Sequence, residues 1–79
     1  MATLDDAVRL IEDGDWQAAH TIVQKDSSQI ASWAHGIVHL MEGDRSNAGY
    51  WYRRAERDLP DDVEIESEIA ALKAELARG

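Results

Sequence analysis

The chain contains no cysteine, which excludes disulfides, thiolate metal sites and a cysteine nucleophile. It also lacks any apolar run near the ~20 residues that a membrane span needs. Its first fifteen residues, MATLDDAVRLIEDGD, set acids where a signal peptide would carry a basic region and an apolar core, so a soluble cytoplasmic protein is the expectation. Bases are scarce: eight Lys and Arg against sixteen Asp and Glu give a net charge of −8 and a pI near 4.6. That balance disfavours the phosphate backbone of a nucleic acid as partner. The glycines stand singly at helix ends and form no phosphate loop, and no serine, histidine and aspartate spacing identifies a nucleophile. At 79 residues there is room for one core, in a domain small enough to need regular helix packing or a partner subunit.

Glycine and the single proline divide the chain into five segments, each with apolar residues at helical spacing, and the expected fold is all-α. The first helix starts after Thr3, whose hydroxyl can cap the N–H of Asp6, and buries Leu4, Ala7, Val8 and Ile11 before Gly14. Asp15 caps a second helix with Trp16, Ala19 and Val23 inward. Ser27 or Ser28 caps a third, which carries Ile30, Trp33, Ala34, Ile37, Leu40 and Met41 on its apolar arc and ends at Gly43. Asp44 opens a fourth with Ala48, Trp51, Tyr52 and Ala55 on one side, and Pro60 enforces the next break. Asp61 or Asp62 caps the fifth, whose Ile65, Ile69, Leu72 and Leu76 make a narrow apolar seam. The expected organisation is a single domain: one hairpin over about 3–26, a second over about 28–58, and a capping helix over about 61–78. The seam has two open uses, covering its own chain or pairing with a second copy in a homodimer.

An offset of 29 residues relates the two hairpins: Gly14, Asp15, Ala19 and Val23 recur as Gly43, Asp44, Ala48 and Tyr52. This pattern resembles tetratricopeptide-type repeats, in which a glycine precedes the second helix, an alanine lies within it and an aromatic follows four residues on. The resemblance covers roughly residues 4–57 and implies paired antiparallel helices with a polar cap, although the offset is shorter than the usual ~34 residues. In such stacks the first helix of each hairpin tends to line the concave face, so the resemblance implies that His35, His39 and Glu42 lie near Asp5, Arg9 and Glu12. The segment from Trp33 to Ala55 also resembles the W-x-H-x-x-x-H-x-x-EGD-x-x-NA-x-YWYRRA pattern of small helical proteins without assigned activity. It directs attention to His35, His39, Glu42, Asn47, Tyr50, Trp51, Arg53 and Arg54.

His35, His39 and Glu42 are spaced four and three apart on one side of the third helix, a spacing at which imidazoles can share a metal ion. A helical wheel sets them opposite the Ile30, Ile37 and Met41 stripe, facing solvent or a groove. Gly36 stands where the zinc-protease motif has its general base, which argues against that chemistry. Net charges of −4, +1 and −5 for residues 1–26, 27–57 and 58–79 locate the basic cluster at Arg53, Arg54 and Arg57. These arginines either pair with Asp58 and the acidic last helix or anchor a carboxylate or an acidic peptide. Tyr50, nearly opposite Ala48 and Ala55, is the aromatic most available to a ligand. Trp16, Trp33, Trp51 and Tyr52 are expected in the core. The leading expectation is therefore a non-catalytic helical module without a cofactor that binds a protein or peptide. The alternative is a metal-binding protein or small hydrolase centred on His35, His39 and Glu42.

Overall fold

The computed structural model describes residues 2–78. The fold is all-α, as the spacing predicts: α1 (Leu4–Glu12), α2 (Trp16–Val23), α3 (Gln29–Glu42), α4 (Arg45–Arg54) and α5 (Ile65–Arg78). There is no strand among the described residues, and no helix is long and apolar enough to cross a membrane.

Side-chain caps set most of the helix starts. The Thr3 hydroxyl accepts from Asp6 N–H while the Asp6 carboxylate accepts from Thr3 N–H at 2.9 Å, a reciprocal capping box. That backbone hydrogen bond is the main reason the Asp6 carboxyl lies below its usual range. Asp15, Ser28 and Asp44 accept in the same way from the N–H groups of Ala18, Ala31 and Asn47. Both hairpin turns close alike, through Gly14 at φ +85 and Gly43 at φ +88. The aspartate after each glycine returns its N–H to a helical carbonyl: Asp15 to Leu10 at 2.8 Å, Asp44 to His39 at 2.9 Å. The fifth helix departs from expectation, beginning at Ile65 and not at Asp61 or Asp62. The intervening residues are spent on a turn in which Val63 N–H donates to Pro60 O, and Arg45 donates to that same carbonyl at 2.5 Å.

Helix α3 occupies the centre. Helix α4 returns along it, with Gln29 Nε2 donating to Ala55 O at 2.7 Å at the end far from the Gly43 turn. Helices α1, α2 and α5 pack on the remainder. Nine consecutive residues, Ala31 to His39, are consequently buried. Of the two histidines expected to face solvent or a groove, His35 is covered instead, at 4% exposed, while His39, at 8%, borders a groove. A wheel locates the most apolar side of a helix, but it does not reveal that neighbours cover the opposite side too.

Trp33 and Tyr52 join the core as expected, whereas Trp16 and Trp51 are only half-buried. The seam of α5 lies on its own chain: Leu72 is fully buried, with Ile65, Ile69 and Leu76 packed against the same core. One carboxylate secures this docking. Glu68 Oε1 accepts from Tyr52 OH at 2.6 Å and from Trp33 Nε1 at 3.3 Å. Burial, reinforced by Glu68, pushes the Tyr52 hydroxyl pKa well above its usual value. Lys73 reaches Glu12 at 3.0 Å, so the polar edge of α1 borders α5. The histidines face elsewhere, contrary to the placement that the repeat resemblance implies.

Helix α4 packs closely on α3 at Gly36. A Cβ there would lie 2.5 Å and 2.7 Å from Tyr52 ring carbons and 3.3 Å from Ala48 O. Because Tyr52 is buried and tethered by Glu68, the ring has no free direction in which to retreat. Gly36→Ala should therefore lose about 1–2 kcal/mol, overpacking outweighing the gain in helix propensity. Gly49 offers a control, since a Cβ there meets only an Arg53 guanidinium nitrogen at 3.7 Å. Gly49→Ala should gain up to about 1 kcal/mol. Urea denaturation of both variants checks the pair, and equal effects would contradict the packing.

Candidate metal centre

All three histidines of the chain meet at one place. His35 and His39 arrive one turn apart on α3, and His20 comes from the facing side of α2. One ligating nitrogen from each can be chosen so that all lie within 4.8 Å of one another. His20 Nε2 and His35 Nε2 are 3.1 Å apart, so one of them carries a proton that it donates to the other. The His20 ring stands edge-on to His35 and His39, with centroids 4.7 Å and 5.4 Å away. His35 and His39 stack at 5.0 Å.

Two groups outside the trio orient it. Trp51 on α4 stacks flat on His35, with ring centroids 3.8 Å apart and 9° between planes, and closes one side of the cluster. Glu42, one turn beyond His39, accepts from His39 Nδ1 at 2.5 Å. With Nδ1 holding the proton, neutral His39 has its lone pair on Nε2. The opposite side is open: a groove of about 370 Å³ is lined by Trp16, Gln17, His20, His39 and Glu42.

Burial first, and then the neighbouring His20 and His39 rings, push the His35 pKa down to about 4. At neutral pH this imidazole is therefore uncharged and able to offer a lone pair. A second grouping, His39 with Glu42 and Asp44, is weaker. Both Asp44 oxygens already accept from Asn47, one from its backbone N–H and one from its side-chain amide, which holds the Asp44 carboxyl below its usual range. Asp44 is a helix cap before it is a ligand.

Of the residues singled out from sequence, His35, His39 and Glu42 come together here. Asn47 serves the α4 cap and lies outside the cluster. Tyr50 is 44% exposed, as expected, and Arg54 donates to its hydroxyl at 3.2 Å while lying 5.2 Å from the Trp51 ring centroid. Arg53 turns instead to a separate groove shared with Arg45 and Arg57. The arginines do not pair with Asp58: Arg57 covers the Trp33 ring at 3.5 Å, and Arg53, Arg54 and Arg57 make no ion pair among the described residues. The residue that sequence reasoning missed is His20. Its signal is present, since it lies four residues after Trp16 and three before Val23, within the inward stripe of α2.

Acid should destabilise the metal-free protein through His35. Its folded pKa of about 4 lies below the ordinary value near 6.5, so the unfolded chain binds a proton that the folded chain refuses. Stability should fall as pH drops from about 6.5 to 4 and level off below for this group. The faces around it are His20 from α2, His39 with Glu42 from α3, and Trp51 from α4. Melts of chelator-treated protein between pH 7.5 and 4.5 should show a shallower acid loss in His35→Asn than in the parent; equal slopes would contradict it.

No family model, curated protein or solved structure matches this chain.

Proposed function

We propose that this protein binds a divalent transition-metal ion of the zinc class through His20, His35 and His39. The observation that carries the reading is the convergence of the chain's three histidines from two helices onto one point beside an open groove. Tetrahedral coordination with metal–nitrogen bonds of ~2.0–2.1 Å needs donors about 3.3–3.4 Å apart. The His20–His35 pair is already at 3.1 Å, and half-buried His20 at the groove edge is placed to adjust. Imidazole donors suit zinc, copper, nickel and iron better than magnesium or calcium. A net charge of −8 raises the local concentration of cations at the surface. The reading is one of binding and not of hydrolysis, because the nearest carboxylate, Glu42, is committed to His39.

A second reading keeps the tetratricopeptide resemblance and takes the protein as an interaction module. Tyr50 favours it, as the exposed large hydrophobic residue beside Arg54, a pairing suited to an acidic peptide. Both readings take the protein as cytoplasmic.

Zinc titration of untagged protein by calorimetry should give one ion per chain and a higher melting temperature, since binding to the folded state alone stabilises it. His20→Ala should weaken zinc at least tenfold while leaving the helical circular dichroism intact. Absence of binding, or equal binding by this variant, would dismiss the metal reading; a response of Tyr50 and Arg54 to acidic peptides, with none to zinc, would favour the second.

A further inference from the structure

The groove beside the histidines carries a further consequence, which rests on the metal reading above. The cluster supplies three nitrogen donors, and its geometry separates what touches the ion from what does not. His20 and His35 present Nε2 atoms to each other. The proton between them needs only to move to the Nδ1 of the ring that carries it, by exchange with water, for both Nε2 atoms to become donors. His39 contributes Nε2, because its Nδ1 is held by Glu42. Glu42 is thus placed where outer carboxylates stand behind metal-bound histidines, fixing ring orientation and tautomer.

Three ligands leave a tetrahedral ion with a fourth position, and the surroundings decide where it points. Trp51 covers the His35 face of the cluster. The opening lies toward the groove of about 370 Å³, whose remaining walls are the Trp16 ring and the Gln17 amide. Electrostatics then selects the occupant. Three neutral imidazoles leave both positive charges of the ion uncompensated, and Glu42, hydrogen-bonded to His39, offsets them only from the outer shell. A small anion at the fourth position gains from that residual charge, and Gln17 offers it a hydrogen-bond donor.

We infer that the metal site is open, with Glu42 as a positioning residue outside the coordination sphere and the fourth position taking a small anion from the Trp16–Gln17 groove. This is the architecture of an exchangeable site and differs from a closed structural one, in which four protein ligands exclude other molecules.

Cobalt reports coordination by its visible absorption, and the test uses the full-length untagged protein loaded with cobalt and titrated with acetate. The parent should show a saturable spectral change with acetate. Glu42→Gln, checked for folding by circular dichroism, should bind cobalt about 10- to 100-fold more weakly. At saturating cobalt it should nevertheless give the parent's spectrum, and it should take acetate at least as tightly as the parent, since a negative charge beside the fourth position is gone. A parent spectrum indifferent to acetate would overturn the open position. A different saturated spectrum in Glu42→Gln would overturn the outer placement and make Glu42 a ligand. Failure of the parent to bind cobalt at all would instead overturn the metal reading itself, so the two failures are distinguishable.

Discussion

Helix α3 has no solvent side between Ala31 and His39, and a buried polar group that lacks a hydrogen bond is expensive. Every polar side chain on that stretch must therefore find its partner inside the molecule. Ser32 returns its hydroxyl to Ser28 O, His35 meets His20, and His39 meets Glu42. No buried side-chain nitrogen or oxygen lacks a partner among the described residues. The histidine cluster is thus first a solution to burial, and the arrangement that satisfies the rings also points their nitrogens at one another. Gly36, between them in sequence, gives up its side chain so that Tyr52 can fill the space. Had α3 carried an alanine there, α4 would stand farther off and Trp51 would lose its stacking contact with His35.

Much of this was legible in the sequence because it depends on neighbours in the chain. Thr3, Asp15, Ser28 and Asp44 are caps by local geometry, and Gly14 and Gly43 are turn formers whatever surrounds them. The 29-residue offset marks two turns that do close with the same hydrogen bonds. What stayed hidden depends on residues far apart. The covering of the polar side of α3 requires knowing where α2 and α4 lie, and so does the meeting of His20 with His35, fifteen residues on. The late start of α5 goes with the turn at Pro60, whose carbonyl Arg45 meets from fifteen residues away. Arg57 is a further case: its charge suggested an acidic partner, yet it lies over the Trp33 ring, where the face of the indole attracts the cation.

Charge and chemistry are distributed unevenly as a result. Apart from Glu68, which reaches inward to Tyr52 and Trp33, the carboxylates of α1 and α5 face outward or tie the two helices together, as Glu12 does with Lys73. The three imidazoles and Trp51 are gathered at the junction of α2, α3 and α4, where Arg54, Trp51 and His35 lie in layers from the surface inward. An event at the buried imidazole is therefore only one indole ring away from the surface. Trp51 is the structural link between the histidine cluster and the outward Tyr50 and Arg54, and it connects the two surfaces that the competing functional readings use.

Helix α5 is anchored differently from the rest. It places one residue, Leu72, fully inside, and otherwise depends on partly buried side chains and on Glu68. Local opening in proteins follows the weakest anchored unit. Amides of α5 should therefore exchange with solvent sooner than those of α3, because detaching that helix uncovers one fully buried residue and opening α3 uncovers nine. Such a detachment would bare Trp33 and the Tyr52 hydroxyl, which Glu68 now meets, and would disturb the aromatic core without dispersing the histidines of α2 and α3.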